Sequence, residues 1–246
     1  MKPGNALVTG GSRRIGRAIA EALAGDGWGV AVHARRPDEY ARDALNTLGA
    51  RGALVTADLS VEAEVVGLVG RAAQALGGPL TLLVNNASAF EHDDVPTATR
   101  ESWDRHIEPN LRAPFVLMQE FAAQKDAAGV VINLLDQRVW NLTTEFVSYT
   151  VSKAGLWTLT QTMALALAPK IRVMGIGPGP VLPSTQQTAA QFAAQAAATP
   201  LGIPAALDDV IGAVRFILKT PSLTGQMIAL DGGQHLQPFK RTKADS

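Results

Sequence analysis

An open α/β fold, doubly wound around a seven-stranded parallel sheet with helices on both faces, is what this sequence predicts. Three observations carry that expectation. Seven short aliphatic runs recur along the 246 residues, longer segments with helical spacing separate most of them, and a glycine-rich turn joins the first run to the first helix. Strands buried on both faces read as continuous apolar runs rather than as alternation. Strands that alternate with helices pair in parallel through right-handed crossovers.

In chain order the expected strands are Ala6–Thr9, Gly29–His33, Ala53–Thr56, Leu80–Val84, Val130–Leu135, Ile171–Ile176 and Met227–Leu230. Apolar residues at helical spacing predict helices over Ile15–Ala24, Val61–Leu76, Trp103–Lys125, Val147–Ala168 and Leu207–Leu218. No linker rich in proline, glycine or serine divides the chain, and no solenoid repeat is visible, so residues 1–246 read as one domain. The segment at about 180–204 is rich in alanine, glutamine and proline, and reads as a loop with a short helix that forms a lid over the substrate. The tail after Gly233, with Lys240, Arg241 and Lys243, is polar and is expected to fray.

Composition narrows the function classes. Hydrophobic residues make up 47% and charged ones 18%, with a mean hydropathy of +0.10, as in well-packed globular proteins. Twenty-two basic residues balance twenty-two acidic ones, so no overall field recruits nucleic acid or an anionic membrane. Without cysteine there is no disulfide, thiolate metal site or cysteine nucleophile, and no metal is expected. No signal-like or membrane-spanning run is read, which points to the cytoplasm.

The first strand runs into Thr9, Gly10, Gly11, Ser12, Arg13, Arg14, Ile15 and Gly16, opening a helix. Glycines there let the backbone approach a pyrophosphate at the positive end of a helix. The Gly11–Gly16 spacing mimics a nucleotide-triphosphate loop, but Arg17 and Ala18 stand where that loop requires lysine and serine or threonine. Taken alone, the turn suits a Rossmann-type dinucleotide site and a purely structural strand-to-helix turn equally. The second strand ends His33, Ala34, Arg35, Arg36, where a free ribose 2′-hydroxyl would call for an acidic residue. Basic groups suit a 2′-phosphate instead, which favours NADP(H), with Arg13 contributing; one of the two arginines can equally be a solvated helix start.

Between Glu145 and Lys170 the one charged side chain is Lys153, four residues and one helical turn after Tyr149. A free phenol titrates near ~10, and an adjacent ammonium stabilises the phenolate, making tyrosine a usable proton donor. A bare i, i+4 pair is more often structural. Asp136, however, follows the fifth aliphatic run, at the strand end where open sheets place ligands, although an aspartate there can also cap a turn or pair with Arg138. Asn110 is a further polar residue between apolar stripes, able to order a water near Lys153.

Together these residues resemble the short-chain dehydrogenase/reductase family over essentially the whole chain. The motifs are Thr9-Gly10 with Gly16, Asp58 (followed by Leu59), Asn85-Asn86-Ala87, Asn110, Tyr149 with Lys153, and Pro178-Gly179 with Val181. The resemblance implies that Tyr149 donates a proton, that Lys153 binds the nicotinamide ribose and lowers the tyrosine's pKa, and that Asn110 holds a relay water. It also implies cofactor contacts from Gly10, Ser12, Arg13, Arg14, Ile15 and Gly16, from Asp58 and Leu59, from Asn86, Ala87 and Ser88, and from Pro178, Gly179 and Val181. A homotetramer packed through the helices at Trp103–Lys125 and Val147–Ala168 follows from the same resemblance. Two departures, Arg14 for a glycine and Asp136 for the usual serine, are similar to pteridine reductases, whose aspartate stands thirteen residues before the tyrosine. There Phe90 would stack on a pterin, Ser88 would bond it, and Arg14 would bridge cofactor phosphate and substrate.

Chemistry favours the same subgroup. Ketone reduction builds negative charge on oxygen, which an ionised Asp136 would repel. A C=N substrate develops charge on a basic nitrogen, and a pterin's N–H groups can donate to a carboxylate. The expected activity is therefore NADPH-dependent reduction of a dihydropterin or dihydrofolate. The alternatives are a carbonyl or 3-oxoacyl reductase, with Asp136 protonated through burial, and a nucleotide-sensing binding protein without turnover.

Overall fold

The computed structural model describes residues 1–183 and 187–237. Seven strands form one parallel sheet: β1 (Asn5–Val8), β2 (Gly29–Ala34), β3 (Gly52–Thr56), β4 (Leu80–Asn85), β5 (Gly129–Leu134), β6 (Ile171–Pro178) and β7 (Met227–Leu230). Their order is β3-β2-β1-β4-β5-β6-β7, so winding reverses between β1 and β4, where Val8 lies in register with Val32 on one side and Val84 on the other. That reversal opens a crevice beyond the carboxyl ends of β1 and β4.

Both sheet faces are covered, which is why the strands carry so few polar residues. Ala6 and Val8 pack with Val30, Val32 and Ile132 beneath α1 (Arg14–Gly25), α2 (Glu39–Leu48) and, further on in the chain, the helix at Leu207–Lys219. Leu7, Ala31, Leu83 and Val131 face the other way, onto the helical segments at Glu62–Val65, Leu68–Ala75, Ala113–Ala123 and Val147–Leu167, with Phe121 fully buried among them. Alternate side chains of each strand thus feed two separate cores.

The helices differ from expectation at definite places. The expected helix Val61–Leu76 is two pieces, α3 (Glu62–Val65) and α4 (Leu68–Ala75), split at Gly67, whose φ of 79° is left-handed. α2 was not anticipated; Asp38 initiates it by accepting from the Ala41 N–H. The Trp103–Lys125 segment begins earlier, as α5 (Arg100–Ile107) behind a Thr99/Ser102 capping box, widens into a π turn at Glu108–Arg112, and resumes as α6 (Ala113–Ala123). Pro109 and Pro114 lack the N–H that a regular ladder needs there. α7 (Val147–Leu167) matches its expected span closely, and α8 (Ala189–Ala197) is the short helix expected in the lid. α9 (Leu207–Lys219) completes the set. Ala205 N–H donates to Pro180 O at 3.1 Å, which pins the two ends of the lid together. Residues 184–186 of the lid and the tail from 238 on lie outside the described residues. Among the described residues no helix is long and apolar enough to cross a membrane.

Candidate active site

The phosphate turn is shaped by backbone geometry. Gly10 has φ +60°, and a Cβ on it would come within 3.1 Å of Ala87. A Cβ on Gly16 would lie 2.3 Å from Gly10 O and 2.4 Å from Asn86 Nδ2, so the helix can start this close to the turn only with glycine there. Arg14 keeps the left-handed conformation, φ 53°, usual for the glycine it replaces. Asn86 Nδ2 donates to Thr9 O at 2.8 Å, and Thr9 Oγ1 accepts from the Asn86 and Ala87 N–H groups. These bonds stitch the loop after β4 to the turn after β1 across the switch point.

A cleft of about 830 Å³ runs along this seam, lined by Gly10, Arg13, Arg14, Ile15, Gly16, His33, Arg35, Asp58, Leu59, Asn86, Ala87 and Ser88. Arg35 holds Asp58 at 2.5 Å, and Arg13 pairs with Asp38 while lying 3.9 Å above the Tyr40 ring. Three of the sequence expectations change. Arg36 is exposed and does not line the cleft, so it is the solvated member of the pair. Ser12 is buried under the turn rather than facing the cleft. His33 is buried and not a cation: Gly10 N–H donates to its Nδ1 at 3.1 Å, its Nε2–H meets Ala57 O at 3.0 Å, and burial lowers its pKa. It braces the phosphate turn against the loop after β3.

A second cavity of about 300 Å³ adjoins the first and shares Arg14, Ile15, Asn86 and Ser88 with it. Phe90, Asp136, Tyr149, Lys153, Pro178, Gly179 and Val181 line it. β5 delivers Asp136 and α7 delivers Tyr149 and Lys153. Tyr149 Oη donates to Asp136 Oδ2 at 2.8 Å, Asp136 Oδ1 accepts from the Arg138 N–H at 2.8 Å, and Lys153 Nζ donates to Leu134 O at 2.8 Å. Burial pulls Lys153 down to about 8 and raises Asp136. Burial, then the Asp136 charge, push the Tyr149 phenol well up. The lysine was expected to lower the phenol's pKa; in this geometry the carboxylate and desolvation prevail, and Tyr149 stays protonated.

Phe90 stacks face to face on Phe146, with centroids 4.6 Å apart, and meets the Tyr149 ring edge-on. Asn110, expected to hold a relay water, has its carboxamide engaged otherwise: it accepts from Ala89 N–H at 2.8 Å and donates to Ala89 O and Ser152 Oγ. It therefore fixes the β4 loop. Arg14 donates to Pro183 O at 2.8 Å and Leu182 O at 3.3 Å, joining the phosphate turn to the segment after β6. Asp93, His106 and Ser148, buried beside Tyr149, escaped the sequence reading because they meet only across 42 to 55 residues.

A doubly wound sheet with this turn and this Tyr-Lys helix defines a class, and the comparisons agree with it. The profile of the short chain dehydrogenase family matches residues 4–195, and the chain belongs to that family of oxidoreductases. Among solved structures it is similar to FolM alternative dihydrofolate reductase 1 from Brucella canis, complexed with NADP. That pair shares 43% identity over 99% of this chain and 98% of the other, at a TM-score of 0.92. The Brucella suis protein, also in complex with NADP, is 44% identical over 96% and 97% of the chains, with a TM-score of 0.90. L-xylulose reductase of Bos taurus is 34% identical over 93% of this chain and 95% of its own.

Proposed function

We propose that this protein is an NADPH-dependent reductase that transfers a hydride to the C=N bond of a dihydropteridine or dihydrofolate. The observation that carries the reading is the part-buried Tyr149–Asp136 hydrogen bond, 2.8 Å long, beside a cavity lined by Phe90, which stacks on Phe146.

The cleft fits a dinucleotide. The space a Cβ would fill at Gly10 is closed by Ala87 and Asn86 of the loop after β4, and at Gly16 by Gly10 O and Asn86 Nδ2, leaving N–H groups at the start of α1 to face a pyrophosphate. Arg35 and Arg13 supply positive charge where a 2′-phosphate would lie, and two NADP-bound relatives share the fold. NADPH supplies the hydride when bound. Lys153, anchored on Leu134 O, keeps further donors for ribose hydroxyls. Phe90, stacked on Phe146 and lining the cavity, is placed to pack against a flat ring. Asp136, with one oxygen on Tyr149 and the other on the Arg138 N–H, accepts from substrate N–H groups and keeps the phenol protonated until transfer. Tyr149 then gives its proton toward the imine nitrogen as the hydride reaches the carbon, so the bond gains a hydride and a proton, two electrons and two protons in all.

A carbonyl substrate is the second reading, because burial raises Asp136 and a protonated carboxyl donates to a developing oxyanion. NADPH oxidation followed with dihydrobiopterin, dihydromonapterin or dihydrofolate, against an acetoacetyl thioester, separates the two. Pterin-dependent turnover that falls by about 10²-fold or more in Tyr149→Phe is expected. Turnover of the thioester alone, retained in Asp136→Ser, would replace the pteridine reading with the carbonyl one.

A further inference from the structure

α7, which carries Tyr149 in its first turn, begins without a cap of its own. Its N-cap is Phe146, at φ 59°, and makes no side-chain capping bond. The orphan donors are met from the loop after β4 instead. Asp93 O accepts from the Phe146 N–H at 2.6 Å and from the Val147 N–H at 3.4 Å, and Asp93 Oδ1 accepts from the Ser148 N–H at 3.2 Å. Asp93 is 1% exposed, and its carboxyl group faces the N-terminal end of α7.

The second carboxylate oxygen accepts from the Ser148 hydroxyl, and the Glu91 N–H, which can only donate, makes His106 Nε2 an acceptor. With its hydrogen committed, Ser148 Oγ must accept from His106 Nδ1, 2.7 Å away, while His106 Nε2 accepts from the Glu91 N–H at 3.0 Å. His106 is thus neutral, with the proton on Nδ1, and its ring stands edge-on to Tyr149 at 5.9 Å. Every second residue of the extended loop is fastened to a helix: Ala89 by Asn110, Glu91 by His106, and Asp93 by the start of α7. Phe90, between two of these anchors, faces the cavity.

We propose that His106 and Asp93, acting through Ser148, are positioning residues that lock the start of α7 and the loop after β4 into one register. That register sets the placement of Tyr149 relative to the Phe90 platform. Neither side chain lines the cavity around Tyr149. The inference rests on Tyr149 as proton donor and not on the pteridine, so it is tested with whichever substrate is turned over.

The experiment compares His106→Gln, whose amide oxygen reaches the Glu91 N–H, with His106→Leu, which removes both bonds at similar volume. Tyr149→Phe in the same assay checks the donor reading separately. His106→Leu is expected to lower kcat/KM about tenfold or more, because small misplacements of reacting groups cost that much, while the NADPH Kd stays within about threefold. His106→Gln should recover most of the loss. Native catalysis in the leucine variant, or equal losses in both variants tracking a lowered Tm, would overturn the proposal. Should the leucine variant fail to fold, ¹⁵N spectra of the native enzyme decide: a neutral His106 carrying its proton on Nε2 is incompatible with the network, and Nδ1–H supports it.

Discussion

Lys153 sits buried with one hydrogen bond to Leu134 O and, among the described residues, no ion pair; burial lowers its pKa to about 8, against the raising effect of the Asp136 charge. The folded pKa lies below the unfolded value of 10.5, so between about pH 8 and 10.5 the unfolded chain holds more protons. Stability contributed by this residue therefore rises through that window, while the charge that the proposed ribose contact needs is lost across it. kcat/KM for NADPH, which reports the free enzyme, is expected to fall about tenfold per pH unit above about 8. A profile flat to pH 9.5 would contradict an active ammonium. Asp136 works in the opposite sense: its folded pKa is raised, so above the ordinary carboxylate range the native state keeps a proton the unfolded chain has lost. The stability it contributes falls as pH rises toward its folded value. The Tyr149–Lys153–Asp136 constellation was legible from spacing because two of the three share a helix and the third ends a strand. The tautomers of His33 and His106, protonated on opposite nitrogens, were not, because each is fixed by partners on other elements.

At the scale of elements, the turn between β1 and α1 carries the most geometric information. Gly16→Ala would drive a methyl group into Gly10 O and Asn86 Nδ2, both tied into the seam that joins β1 to β4. Overpacking of this kind costs about 1–3 kcal/mol. The expected outcome is a lower urea midpoint together with weaker NADPH binding by fluorescence titration, since the same shift disturbs the N–H groups of the turn. Unchanged NADPH affinity would show that the turn does not hold the pyrophosphate. Helix ends were less legible. The break at Gly67 is stabilised by Glu120, whose carboxylate accepts from the Gly67 and Val69 N–H groups from a helix more than fifty residues away. The π turn around Asn110 likewise depends on what it must reach, Ala89 and Ser152, as much as on Pro109.

The whole molecule presents its nucleotide cleft across the switch point, so a ligand there bridges halves of the sheet that the chain builds separately. At a hundredfold excess over its Kd, such a ligand stabilises the native state by about 2.7 kcal/mol. For a chain of this size that corresponds to a Tm increase of about 5–10 °C. NADPH is expected to give that increase and NADH, at the same concentration, a smaller one. Arg35→Ala should narrow the difference, because Arg35 stands at the cleft wall beyond β2. Equal shifts from both nucleotides in the native protein would refute a 2′-phosphate site.

The sequence by itself determined the seven strands, their parallel winding and the residues at their carboxyl ends, because apolar runs and glycine spacing are local consequences of burial and backbone sterics. It also marked Tyr149 and Lys153, since one helical turn places them together. Only the tertiary structure decided which of the marked residues face the clefts. Arg36 and Ser12 do not, His33 serves as a neutral brace, and Asn110 spends its amide on the loop beside Phe90. It also decided that a buried aspartate from the loop after β4 caps α7. These outcomes rest on hydrogen bonds between groups far apart in the chain, and such partners are fixed only when folding brings their elements within reach and withdraws them from water.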